Sequence, residues 1–341
     1  MKYIDWKNLT FGYVKTNYNI RCYFKDSKWG ALEASSSETI DIHIAATCLH
    51  YGQEAFEGLK AYRGKDGKVR LFRWEENWKR LCNSADGILM QKVPIEIFKD
   101  ACMQAIQLNA EFIPPYGSGG ALYLRPLLIG SGAKVGVSPA DEYLFMVFVT
   151  PVGPYFKEGF KPVKMQIIRD FDRAAPMGTG HIKVGGNYAA SLRAGFRAHQ
   201  EGFAASIFAD AKTKEFIDEA GPANFFGIKE GRYITPDSPS ILPSITNMSL
   251  RTIAEDMGLI IERRHVPIAE IATFEEAGAC GTAAVISPIG TIQDRESGAV
   301  YHLSKDGNAG PWSQKLYNCL TGIQFGEVED KFNWCTIVEG V

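Results

Sequence analysis

AASIFADAKTKEFIDEAGPANFFGIKEGRYIT, running from Ala204 to Thr235, is the stretch on which the fold turns. Short runs of apolar, β-branched and aromatic residues alternate with turn-forming clusters, DAKTK at Asp210–Lys214 and KEGR at Lys229–Arg232. That spacing predicts successive short strands joined by tight turns, an antiparallel meander rather than a set of βαβ units. It argues against a doubly wound nucleotide-binding sheet and gives an α+β fold class.

On either side of the meander the signals change to helix and back. Upstream, Ala121 to Ile129 and Tyr143 to Thr150 read as strands, the second so uniformly apolar that it belongs in a buried sheet. Tyr62–Arg63 and Val69–Phe72 flank the turn GKDG as a hairpin. Glu75–Leu89 and Pro94–Leu108 carry a helical rhythm. Val163–Ile168 is a further strand, and a helix follows from about Asn187 to Gln200. Downstream, a helix from Ile245 ends near Met257, where Gly258 supplies the stop; Ala284–Ile286 is a strand and Trp312–Leu320 a helix. PVGPYFKEGFKP, Pro151–Pro162, is the best boundary in the chain. The expected division is residues 1–150, a linker at 151–162, and residues 163–341.

The chain of 341 residues has 37 Lys plus Arg against 39 Asp plus Glu, a formal net charge of -2. So even a balance gives no global pull toward nucleic acid or a membrane surface. The first residues, MKYIDWKNLT, lack an apolar signal core, and no apolar run reaches the roughly 18 residues of a membrane span. The cytoplasm is the expected compartment. Seven cysteines include no C-x-x-C pair, and the six histidines include no H-E-x-x-H, so neither a disulfide framework nor a metal site is expected.

One glycine-dense loop stands out: GTGHIKVGGNYAASL, Gly178–Leu192. A P-loop places lysine after its last glycine and directly before Ser or Thr, whereas Lys183 precedes Gly185 and Gly186 and is followed by Val184, with no Ser or Thr there to hold magnesium. Two readings of Lys183 remain. It is a surface lysine in a flexible turn, or its neighbours Ile182, Val184 and Tyr188 hold it where the charged ammonium is disfavoured, as a Schiff-base lysine requires.

The run K-x-G-G-N-Y resembles the cofactor-lysine segment of the branched-chain aminotransferases, enzymes of the fold-type IV pyridoxal-phosphate class. Six further segments are similar in order and spacing. They are HYGQEAFEGLKAYRG (His50–Gly64), NWKRLCNSA (Asn77–Ala85), ALYLRPLLIG (Ala121–Gly130), DEAGPANFF (Asp218–Phe226), LPSIT (Leu242–Thr246) and ACGTAAVISP (Ala279–Pro288). The likeness extends from about Tyr51 to Ile289. It implies a smaller N-terminal α/β domain, a larger C-terminal domain carrying the meander, and a homodimer whose sites take residues from the partner subunit.

The resemblance also implies roles. Lys183 would hold pyridoxal 5′-phosphate as a Schiff base, and Glu219 would keep the pyridine nitrogen protonated. Arg80, the N–H groups of Ile245 and Thr246 at a helix start, and Thr282 would bind the phosphate, while Tyr188 would meet the phenolic oxygen. Tyr51, Phe56 and Tyr123 would form an apolar wall for leucine, isoleucine or valine. Arg125 would meet the distal carboxylate of glutamate, and Thr282–Ala283 the substrate α-carboxylate. Arg173 matches an arginine near the cofactor. The implied reaction passes the amino group of a branched-chain amino acid to 2-oxoglutarate, giving the 2-oxo acid and glutamate. Other enzymes of the same fold, a D-amino-acid aminotransferase or an aminodeoxychorismate-lyase-like enzyme, share the lysine and glutamate. A phosphate- or nucleotide-binding module is the reading from a different class. Two departures are visible: Ala284 and Ser287 stand where some relatives have a C-x-x-C redox switch, and Pro222 stands where some have a threonine.

Overall fold

A computed structural model describes residues 4–153, 160–304 and 306–341. In chain order the first elements are β1 (Asn19–Lys25), β2 (Lys28–Trp29), β3 (Glu33–Ser35), α1 (Thr47–Tyr51), β4 (Glu54–Phe56), β5 (Leu59–Arg63), β6 (Val69–Phe72), α2 (Trp74–Gly87), α3 (Ile95–Gln107), β7 (Ala121–Gly130) and β8 (Tyr143–Val152). Next come β9 (Val163–Ile168), α4 (Gly185–Gln200), β10 (Ala205–Ala209), β11 (Ile217–Ala220), β12 (Ala223–Lys229), β13 (Arg232–Pro236), α5 (Ile245–Asp256) and β14 (Ile260–Arg264). The last are β15 (Glu276–Gly281), β16 (Val285–Asp294), β17 (Val300–His302), α6 (Pro311–Gln324) and β18 (Cys335–Val338).

These elements gather into two compact units of similar size. One takes Met1–Tyr155, Ile182–Gly185 and Gly322–Val341, and the other takes Phe156–His181 and Gly186–Thr321. The stretch 163–341, expected as a single domain, therefore contributes to both. The reason is pairing: β18 adds to the edge of β6, and Val184 bridges Ala55, so two late segments belong to the first unit. Residues 154–159 of the expected linker lie outside the described residues.

The first unit is built on an antiparallel sheet in the order β18-β6-β5-β7-β8-β1-β2, with β3 on β1 and β4 on β7. α3 buries Phe98, Ala101, Cys102, Ala105 and Ile106, the i, i+3, i+4, i+7, i+8 stripe of an amphipathic helix. Phe98 stacks on Phe145 of β8 at 5.9 Å. Each such large apolar side chain contributes about 1.5–3 kcal/mol by leaving water. α2 ends against the lysine loop. A Cβ on Gly87 would stand 2.8 Å from Ile182 Cδ1, so glycine permits this approach.

The second unit holds the stretch quoted first. β10, β11, β12 and β13 pair antiparallel in succession, as the turn spacing predicts. The order β11-β10-β9-β16-β15-β12, closed by β11 on β12, makes a six-stranded barrel filled by Ile167, Ile207, Ile217, Phe225, Ala279 and Ile292. It is not purely antiparallel. β9 runs parallel to both β10 and β16, and β13 runs parallel to β14. β9-α4-β10 and β13-α5-β14 are thus βαβ crossovers, which local sequence pattern does not separate from a meander. α5 is capped by Ser244, whose Oγ accepts the Asn247 N–H, and packs against β14 and β15 with Leu250, Ile253 and Ala254 buried.

Candidate active site

In the first unit the sheet face around β7 collects the chemistry. Tyr123 and Arg125 lie two residues apart on β7, Lys60 stands opposite Tyr123, and Phe56 opposite Leu127, so strand alternation brings all four to one face. The Arg125 guanidinium lies over the rings of Phe56 (4.8 Å) and Tyr123 (5.3 Å), and its Nη2 donates to the Tyr123 hydroxyl at 3.1 Å. Lys183 Nζ lies 4.7 Å above the same Phe56 ring, half-buried. The lysine's main chain is fixed at both ends. Its N–H donates to Ser84 Oγ at 2.9 Å, and its carbonyl accepts from Phe56 N at 3.1 Å. Two residues on, the Gly185 N–H donates to Glu54 Oε1. Lys183 is thus half-buried against an aromatic ring rather than exposed on a turn.

Burial raises the Glu54 carboxyl above its ordinary value, opposed by the Gly185 N–H and by Arg125. Burial also pushes the Lys60 ammonium down to about 8. Neither group was singled out from the sequence, though both sit inside the His50–Gly64 segment.

Arg80 is buried rather than an exposed helix charge. Its Nε and Nη2 donate to the two oxygens of Glu57 at 2.7 Å each, and Asn77 Nδ2 reaches Glu57 Oε2 at 2.7 Å. Glu57 is fully buried, and its bidentate grip fixes the plane of the Arg80 guanidinium. Sequence reading missed Glu57 because its partner comes from another element. Tyr51, by contrast, is 40% exposed at the end of α1, and its hydroxyl donates to the Val135 carbonyl. Among the described residues its hydroxyl bonds that carbonyl rather than Phe56 or Tyr123.

In the second unit the centre is Glu219 on β11, 2% exposed. Its Oε1 accepts from Leu242 N at 2.6 Å and faces Asn224 Nδ2 at 3.4 Å. Arg173 Nε stands 3.5 Å from Glu219 Oε2, an ion pair without hydrogen-bond alignment. Arg173 Nη2 donates to the carbonyls of Gly180 and Ser240, and Gly180 has no room for a Cβ against the Ser240 backbone. Donors and a cation therefore surround the Glu219 carboxylate, which is buried in the wall of the unit rather than solvated.

Leu242 leads directly into the first turn of α5. Ile245 and Thr246 are buried there, and their N–H groups precede the first intrahelical acceptor, the arrangement that receives anions. Thr282 and Ala283 are half-buried in the turn between β15 and β16, two and three residues past the Asn224–Cys280 rung. The turn ends on Val285, a β-branched residue held at φ 63°. Tyr188 is half-buried in α4, with its carbonyl accepting from Ser191 Oγ. Among the described residues no group of three His, Cys, Asp or Glu is placed to hold a metal ion, and no helix is long and apolar enough to cross a membrane.

The family model for amino-transferase class IV matches residues 54–292. The branched-chain-amino-acid aminotransferase of Haemophilus influenzae is 49% identical, covering 99% of this chain and 100% of that protein. That of Helicobacter pylori is 47% identical, with 97% of each covered. The crystal structure of the Escherichia coli branched-chain amino acid aminotransferase superposes with a TM-score of 0.80 at 26% identity, covering 95% of this chain and 100% of that one. With the family model matching more than half of the chain and relatives near half identical along its length, this chain belongs to the class IV aminotransferase family.

Proposed function

We propose that this protein moves the amino group of leucine, isoleucine or valine to 2-oxoglutarate, working as a cytoplasmic homodimer with pyridoxal 5′-phosphate. The observation that carries this reading is the face shared by Lys183, Phe56, Tyr123 and Arg125. It joins an amine, an apolar wall and one cation, which is what a pocket for both an aliphatic side chain and a glutamate side chain needs. Relatives named for the branched-chain reaction support it.

The donor set fits the cofactor. Lys183 supplies the amine, Glu219 a buried carboxylate for a protonated ring nitrogen, and Ile245, Thr246, Thr282 and Arg80 the N–H, hydroxyl and guanidinium donors that a phosphate takes. Tyr188 offers a hydroxyl to the phenolic oxygen. When bound, the cofactor supplies an aldehyde that condenses with amines and a ring that takes up the electron pair of the broken Cα–H bond.

The chain's own groups do the rest. Lys183 Nζ takes the proton from the substrate α-carbon and returns one in the reverse half-reaction. Glu219 holds a proton at the ring nitrogen through the charge of its oxygens. The N–H groups of Thr282 and Ala283 orient the substrate α-carboxylate. Phe56 and Tyr123 keep water from an aliphatic side chain. The visible spectrum of the purified protein tests the reading. A band that shifts on leucine and returns on 2-oxoglutarate supports both half-reactions, and a protein that stays colourless after incubation with pyridoxal phosphate refutes them.

Arg125 carries the second substrate. Its charge over Phe56 is tolerated by the aromatic face when an aliphatic side chain is present, and it meets a carboxylate when glutamate is. Arg125→Ala is expected to lower kcat/KM for glutamate by about tenfold to a hundredfold, the loss of charge-assisted hydrogen bonds, with leucine changing less than about threefold. Steady-state kinetics with both donors check it, and equal losses would count against the role.

A further inference from the structure

Asn247 is the third residue of α5, just past the Ile245–Thr246 pair, and it is 6% exposed. Its backbone N–H is already taken by Ser244 Oγ at 3.2 Å, so its side chain is not needed to cap the helix. That side chain reaches β12 and β13 instead. Nδ2 donates to Asn224 Oδ1 at 3.1 Å and to Thr235 Oγ1 at 2.9 Å, and Oδ1 accepts from the Tyr233 hydroxyl at 2.9 Å. Asn224 carries the connection onward, with Nδ2 donating to the Leu242 carbonyl at 3.0 Å and facing Glu219 Oε1 at 3.4 Å.

The direction of both amides follows from chemistry. The Leu242 carbonyl and the Glu219 carboxylate only accept, so Asn224 turns its NH2 to them and its oxygen to Asn247. Thr235 donates its own hydroxyl proton to the Phe225 carbonyl at 2.7 Å, so it too accepts from Asn247. A shift at either end would leave a buried donor or acceptor unmatched, which makes the series a rigid spacer.

We infer that Asn247 and Asn224 are positioning residues that fix the Glu219 carboxylate relative to the N–H pair at the head of α5. The inference rests on the reading above, in which those two features hold opposite ends of one cofactor. Removing the middle of the spacer is then felt at both ends. Retention of the phosphate end weakens, and the ring nitrogen loses a fixed counter-charge.

Asn247→Ala and Tyr233→Phe, prepared as holoenzymes beside the unaltered protein, test this. If the unaltered protein does not retain pyridoxal phosphate, the proposed function fails and the inference falls with it. Given retention, Asn247→Ala is expected to raise the Kd for pyridoxal phosphate about tenfold and lower kcat about tenfold, with KM for leucine within about twofold. The pH midpoint of the holoenzyme's visible band also moves, which loss of packing alone would not produce. Tyr233→Phe, which deletes one oxygen, moves the same readouts in the same direction by less, and it decides the matter if Asn247→Ala does not fold. Unchanged Kd and pH midpoint, with or without a lower Tm of the apoprotein, would overturn the inference and leave Asn247 as a structural residue.

Discussion

Lys183→Ala is expected to abolish transamination, lowering kcat by more than about ten-thousandfold, because one side chain is removed from two tasks. Its amine both holds the aldehyde and moves the α-proton. Lys60 stands on the same sheet face, but its ammonium is buried beside Tyr123 and lies 5.9 Å from the Phe11 ring. The main chain at position 183 is held by Ser84 and Phe56 through backbone atoms, so alanine leaves the loop in place. Pyridoxal phosphate should therefore still bind through its phosphate, without the imine. Single-turnover kinetics with leucine, read beside a cofactor-binding titration, separate the two effects. Turnover at the unaltered rate would refute the role.

Glu219→Gln carries the second-largest effect. The amide keeps an oxygen for the Leu242 N–H but loses the charge, so the ring nitrogen is failed when electrons flow toward it and little before. A fall in kcat of about a hundredfold to a thousandfold is expected, with KM for leucine nearly unchanged. A second consequence follows from Arg173, 8% exposed and 3.5 Å from the lost charge. A buried cation left unpaired costs about 3–5 kcal/mol, so Tm should fall as well. Adding Arg173→Met to Glu219→Gln separates the two. Tm is expected to recover while kcat stays low, and recovery of both would show that the carboxylate serves only to hold Arg173.

The parts of this molecule that sequence made legible are those with local causes. The turns DAKTK and KEGR announced β10 to β13, and the stripe from Phe98 to Ile106 announced α3, because each pattern is written within a dozen residues. The strand directions around β9 were not legible. VKMQII looks the same whether its neighbours run parallel or antiparallel, and only the crossover through α4 decides. β18 is four residues of half-buried chain whose partner lies near the start of the sequence, so no local signal marks it. The site divides along the same line. Lys183 was marked by its apolar neighbours, while Glu57 and Asn247 were invisible because each owes its place to a side chain on a different element. Asn224 lay inside a quoted motif and still gave no sign that its amide faces Glu219.

The pairing of β18 with β6 has a consequence for how the protein is made. The Trp74 Nε1 donor and its acceptor, Thr336 Oγ1, are 262 residues apart in the chain. At a ribosomal rate of about 5–20 residues per second, roughly 13–52 s separate the synthesis of the two partners. Through that interval β6 presents an open strand edge, the kind of surface on which nascent chains pair wrongly or recruit chaperones. The second unit's barrel, whose strands all lie between Val163 and Asp294, is complete in sequence before that edge is covered. Vectorial folding of this enzyme thus finishes at the unit that begins first.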